Sequence, residues 1–256
     1  MKHLTIITGS SRGLGEALAR QLLAQGHQVL GIARGRSAAL DAFAAAQGAT
    51  LRLGQWQADL ADPLPVAERL SGWLAQHGDE AWQDLTLINN AGVVTPPGPV
   101  EGVPLPQLSA ALRAGLEATL LLSAAFLDAT RASPARRRIL NISSGLGRRA
   151  MAGSAPYCAA KAGMDHLSRA MALDEAHKRA QGLNAAHIVS LAPGIIDTQM
   201  QVQLRSGDPA GFPDRQRFAD FKSQGQLVSA EDTAERVLRF LAREDFGEVV
   251  VGDVRD

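Results

Sequence analysis

Apolar residues in this chain fall into short continuous runs that alternate with longer amphipathic stretches. The runs LTIIT (4–8), QVLGIAR (28–34), TLRLGQWQADL (50–60), LTLINNAG (85–92), RRILNIS (137–143), NAAHIVSLAPG (184–194) and EVVVGDV (248–254) have the length and β-branched content of buried strands. Between them, helical spacing runs from the glycines after residue 8 to Gly26, then over 37–48, from 63 to a stop at Gly78, and over about 105–132, 156–181 and 230–245. Trp73 is expected in the core of the third of these helices. Strict β/α alternation predicts one domain over 1–256: a Rossmann-type, doubly wound parallel sheet with helices on both faces. Two stretches fit neither period. VVTPPGPVEGVPLP (93–106) must be irregular because of its prolines, and 199–228 is expected to be either a mobile lid over the substrate or an ordered surface insertion.

Three places where strands hand over to helices carry candidate chemistry. LTIIT runs directly into Gly9-Ser-Ser-Arg-Gly13-Leu-Gly15, a strand–glycine turn–helix context that suits a pyrophosphate. The second strand has Ala33 where dinucleotide folds often place an acid for the ribose hydroxyls, and Arg34 follows it. With Arg12 in the glycine turn, two guanidinium groups sit where a 2′-phosphate would, which favours NADPH over NADH. The third is SGLGRRAMAGSAPYCAAK (144–161). Tyr157 and Lys161 stand four apart on a predicted helix and so share a face. A phenol with an ammonium at hand is suited to protonating a carbonyl oxygen as hydride arrives, since a nearby positive charge lowers the phenol's pKa. Ser144, at the end of the preceding strand, can hold that oxygen.

Composition trims the alternatives. Lysine plus arginine equals aspartate plus glutamate at 26 each, which gives no case for nucleic acid or a membrane surface. RRR at 136–138 and Arg148-Arg149 read as solvated clusters. One cysteine, Cys158, rules out an internal disulfide framework and suits a reducing compartment. The most apolar stretch, ATLLLSAAFL (118–127), is too short to span a bilayer, and the first strand leaves no room for a signal peptide. The expected location is the cytoplasm. The six histidines have no metal-ligand spacing.

The combination of Thr8-Gly9-x-x-x-Gly13-x-Gly15, Asn89-Asn90-Ala91-Gly92, Ser144, Tyr157-x-x-x-Lys161 and Pro193-Gly194 with Thr198 resembles the short-chain dehydrogenase/reductases over essentially the whole chain. The resemblance implies that Tyr157 is the acid, Ser144 the carbonyl anchor, and Lys161 the residue that holds the nicotinamide ribose and lowers the tyrosine pKa. It implies an NADP(H) site built from Gly9, Ser11, Arg12, Gly13, Leu14, Gly15, Arg34, Asp59, Leu60, Asn90, Ala91, Gly92, Pro193, Gly194, Ile196 and Thr198. Substrate would meet Ser144, Gly145, Tyr157 and Gly194. NISSGLG, YCAAKAG, APGIIDTQMQ and the ending VVVGDVRD are similar to sepiapterin reductases and bacterial benzil reductases, which brings Asp253 forward as a contact for a polar substrate head. A small-molecule carbonyl substrate and a homodimer or homotetramer follow from the same likeness. One departure stands out: where the family usually has an asparagine on the long helix, this chain has Gly115, so either water or a backbone carbonyl exposed by a local distortion takes over its relay role or turnover is slow. That departure is the only support for a second reading, an NADPH-binding regulatory protein without turnover.

Overall fold

The computed structural model describes residues 2–77 and 81–256, so the proposed helix stop at Gly78 lies outside the described residues. Seven parallel strands form one sheet in the order β3-β2-β1-β4-β5-β6-β7. They are β1 (Lys2–Thr8), β2 (Gln28–Ala33), β3 (Leu53–Gln57), β4 (Trp82–Asn89), β5 (Arg136–Ile142), β6 (His187–Ala192) and β7 (Val251–Asp253). Helices α1 (Gly13–Ala24), α2 (Ala38–Ala46) and α9 (Ala230–Leu241) cover one face; α3 (Pro63–His77), α5 (Ala118–Ala129) and α6 (Ala155–Ala180) cover the other, with α4 (Leu105–Leu112) packed against α6. Each strand feeds both layers by alternation: Ile7 joins Leu18, Leu22 and Val237 on the first face, while Ile6 joins Leu70, Leu122 and Phe126 on the second. Trp73 is only partly buried, edge-on to Trp56 and stacked on His77. Strand order reverses between β1 and β4, and the cleft above the carboxyl ends of those strands is where this architecture accepts ligands.

Several boundaries differ from the sequence reading. The third strand starts at Leu53, because Thr50–Arg52 winds as one 3₁₀ turn, and it ends at Gln57. The last strand is three residues long. The segment 199–228 is not loosely structured: it forms α7 (Gln199–Arg205) and α8 (Arg215–Ser223) around Leu204, Phe212 and Phe218. Helices of seven and nine residues are too short to show a period. The long helix is likewise two α-helical pieces joined by a π-helical turn, Arg113–Glu117, centred on Gly115. Taken together, Leu105–Ala129 is long and apolar enough to cross a membrane by length and composition, beyond the ten-residue run considered above. In the fold it is a packing helix, with Leu122 and Phe126 fully buried against the sheet layer.

Of the arginines at 136–138, only Arg136 is solvated. Arg137 is 2% exposed and faces Glu175 at 3.7 Å, and Arg138 is buried beside Asp84. Their strand enters the sheet at this point, so these two guanidinium groups meet buried acids, and Asp84 also takes the exposed Arg136 at 2.6 Å and His3 at 2.8 Å.

Candidate active site

The glycine turn is built by contact. Gly9 and Gly13 have φ of +69° and +57°, a region that side chains with a Cβ rarely adopt. Gly15 has no such need, yet a Cβ there would lie 2.2 Å from the Gly9 carbonyl oxygen and 2.6 Å from Asn90 Nδ2. Asn90 locks the turn to the sheet: its Nδ2 donates to the carbonyls of Thr8 and Gly9, and its backbone N–H, with that of Ala91, donates to Thr8 Oγ1. The Asn90 side chain is therefore committed to shaping the turn, which leaves its backbone to line the cleft.

One cavity of about 1110 Å³ runs from this turn across the carboxyl ends of the strands. At one end lie Gly9, Ser11, Arg12, Gly13, Leu14, Arg34, Asp59 and Leu60. Its middle is lined by Asn90, Ala91, Gly92, Tyr157, Lys161, Pro193, Gly194, Ile196 and Thr198, and Ser144, Gly145 and Asp253 border the far end. Of the residues proposed from sequence, Gly15 alone does not reach the cavity; it packs behind the turn. The shape fits a dinucleotide: a strained glycine cradle at a helix amino terminus, two exposed arginines beside it, and an elongated cleft leading to the phenol.

Tyr157 and Lys161 rise from the first turns of α6, and Ser144 ends the strand segment opposite. The Ser144 and Tyr157 hydroxyls face each other across the cavity. Lys161 is buried, donates from Nζ to the Ile142 carbonyl at 2.6 Å and stands 5.7 Å from the centroid of the Tyr157 ring. Burial acts on both groups. It pushes the Tyr157 phenol up to about 12, against the pull of the Ser144 hydroxyl, and drives Lys161 down to about 8, against the raising effect of Asp165. The ammonium is turned to a backbone carbonyl, so the protein groups alone keep the phenol protonated. Beneath the site a buried amide ladder fixes the frame: Asn89 Nδ2 donates to Ser123 Oγ and to Asn141 Oδ1, and Asn141 Nδ2 donates to Ser168 Oγ on α6.

The π turn packs against α6. A Cβ on Gly115 would lie 3.0 Å from Ala160 Cβ, one residue before Lys161. The local distortion anticipated at Gly115 is therefore present where the usual asparagine would stand, and the Gly115 carbonyl accepts the Thr119 hydroxyl at 3.4 Å.

The wall beyond Ser144 could not be read from sequence. Val94, Met151, Met200, Leu204, Phe218 and Phe221 come from three separate segments and close the cavity as an apolar, aromatic cluster. No period or motif marks them, because each segment contributes only one to four side chains. Asp253 reaches the cavity but is clasped by Arg255, whose Nε and Nη2 donate to its two oxygens at 2.7 and 2.6 Å, holding the carboxyl below the usual range.

Comparisons with known proteins agree with this layout. A profile of the short chain dehydrogenase family matches residues 3–209. The chain is 32% identical to benzil reductase ((S)-benzoin forming) of Bacillus cereus over 247 residues, covering 96% of this chain and 97% of that protein. It is 33% identical to sepiapterin reductase of Meriones unguiculatus, covering 94% of this chain and 92% of the other. A short-chain dehydrogenase/reductase from Burkholderia vietnamiensis superposes with a TM-score of 0.66 at 35% identity, over 99% of this chain and 97% of that one. The chain belongs to the short-chain dehydrogenase/reductase family, oxidoreductases that use nicotinamide cofactors.

Proposed function

We propose that this protein is an NADPH-dependent carbonyl reductase acting on a bulky ketone or 1,2-diketone, with Tyr157 as proton donor. The observation that carries this reading is the convergence of Ser144, Tyr157 and Lys161 on the same cavity as the glycine turn. NADPH, when bound, supplies the hydride. The chain's own groups then have a defined task. Charge gathering on the carbonyl oxygen is met by the Ser144 and Tyr157 hydroxyls, which prefer an oxygen with growing negative charge over a neutral one. Tyr157 gives up its proton to that oxygen. A phenol near 12 suffices for this, since the alkoxide that forms is a far stronger base than a phenolate. Lys161 can then favour the phenolate so formed, and the apolar wall excludes water from the reacting oxygen.

The far wall decides between substrates. An apolar and aromatic cluster suits aryl or alkyl groups flanking the carbonyl, and the Asp253–Arg255 clasp leaves that carboxylate occupied. A pterin head would have to displace Arg255 first. Both features favour diketone-like compounds, the kind of substrate named for the Bacillus cereus relative, over pterins.

Arg12 and Arg34 are the proposed 2′-phosphate contacts. Arg12→Ala and Arg34→Ala should each weaken NADPH binding by about tenfold or more, since a charge-assisted hydrogen bond contributes roughly 1.5–3 kcal/mol, and leave NADH affinity unchanged. Fluorescence titration with both cofactors checks this; equal losses for the two would contradict it. Leu105, Leu112, Leu120 and Leu173 are exposed on α4, α5 and α6, and we propose that a second copy covers them. Sedimentation should give a multiple of the 27.0 kDa chain mass, and a single-chain mass would refute the pairing.

A further inference from the structure

Asp165 is a buried acid that the reaction outlined above does not use. It follows Lys161 by four residues and so lies one turn further along the same side of α6. Its carboxylate is 2% exposed. Oδ1 accepts the Ser190 hydroxyl of β6 at 2.6 Å, and Oδ2 stands 3.3 Å from Arg148 Nε. Arg148 in turn donates from Nη2 to the Gly252 carbonyl of β7 at 2.7 Å. The turn after Ser144 is pressed against this group so closely that a Cβ on Gly147 would lie 2.9 Å from Asp165 Oδ2 and 2.9 Å from the Lys161 carbonyl oxygen. A single carboxylate thus ties together the catalytic helix, the Ser144 turn, β6 and, through Arg148, β7.

We propose that Asp165 is a positioning residue for the reaction: its carboxylate supplies the negative charge that Lys161 faces inside the protein, and it clamps the Ser144 turn onto the catalytic helix. Burying an ammonium is costly unless an opposite charge lies nearby. The groups that face Lys161 are the Ile142 carbonyl from β5, the Tyr157 phenol and Asp165 from its own helix, and Gly92 from the end of β4. Arg148 approaches Asp165 from the turn, with Asp253 and Arg255 behind it at β7. Of these, Asp165 opposes the effect of burial on Lys161. Arg148 is the cation in ion-pair distance of that carboxylate, at 3.3 Å, and offsets part of its charge one helical turn from Lys161. The kinetic arm of this proposal rests on the reductase reading; the titration arm does not.

The chain has four lysines, so a ¹³C NMR titration of labelled lysine side chains can follow Lys161 in the full protein, with Lys161→Met identifying its signal. Lys161 should titrate near about 8 in the unaltered chain, and at least about one pH unit lower in Asp165→Asn, the lower end of what an adjacent opposite charge does. Arg148→Gln should move it the other way, because the offsetting cation is gone, and Asp165→Glu should restore part of the loss. The limb of kcat/KM for a diketone that follows Lys161 should move with each midpoint. Unmoved midpoints overturn the proposal, and so do moved midpoints with an unmoved rate profile. If Asp165→Asn does not fold, as circular dichroism would show, the sign of the shift in Arg148→Gln decides alone. A chain that reduces no carbonyl at all refutes the reductase reading and leaves the NMR result to stand by itself.

Discussion

Tyr157→Phe should cut diketone turnover by at least about a hundredfold, the lower range for a positioned general acid, while NADPH affinity and thermal stability stay close to those of the parent. The ring remains, so packing on α6 is kept, and only the hydroxyl that meets Ser144 disappears. Ser144 by itself can hold a carbonyl oxygen but is a far weaker proton donor, so hydride transfer would leave an alkoxide with no acid in contact. Steady-state NADPH consumption, read alongside cofactor fluorescence, separates the two effects. Turnover unchanged in the variant would remove Tyr157 from its assigned role; turnover and binding lost together would mark it as a structural residue.

Gly15→Ala should be worse for the protein than Gly13→Ala, although Gly13 has the unusual backbone. At Gly13 the cost is conformational, from φ of +57°, and a methyl group would meet nothing closer than Thr198 Cγ2 at 3.6 Å. At Gly15 the methyl would press on the Gly9 carbonyl at 2.2 Å and on Asn90 Nδ2 at 2.6 Å. The first of these is backbone, and the second is pinned by hydrogen bonds to Thr8 and Gly9. Neither can swing aside, so the turn itself must open. The expected loss is about 3 kcal/mol or more by urea unfolding, at the severe end for overpacking, with NADPH binding lost along with it. Stability and affinity equal to those of the parent would show that the turn is not held as tightly as these contacts imply.

The sheet and the cofactor end were legible because they depend on local patterns. Short apolar runs alternating with amphipathic stretches can only be buried strands and covering helices, and a glycine turn between LTIIT and an amphipathic run has few other uses. Charge was harder to read. Arg137 and Arg138 look solvated until Glu175 and Asp84, distant in the chain, are seen beside them. Spacing places Lys161 and Tyr157 on one face, but the burial of both and the Ile142 carbonyl that Lys161 meets are set by tertiary packing. Gly115 announced a departure, and the π turn gives it form, since a wider turn fits a residue with no side chain against Ala160. The substrate wall was illegible because Val94, Met151 and Phe218 are brought together only by tertiary packing.

The most direct test is a product count. Purified protein given NADPH and benzil should form one hydroxyketone for each NADPH consumed, with the hydride label of deuterated NADPH found on the new carbinol carbon. NADPH bound but not consumed across diketones and simple ketones would contradict the account and identify the chain as a binder without turnover.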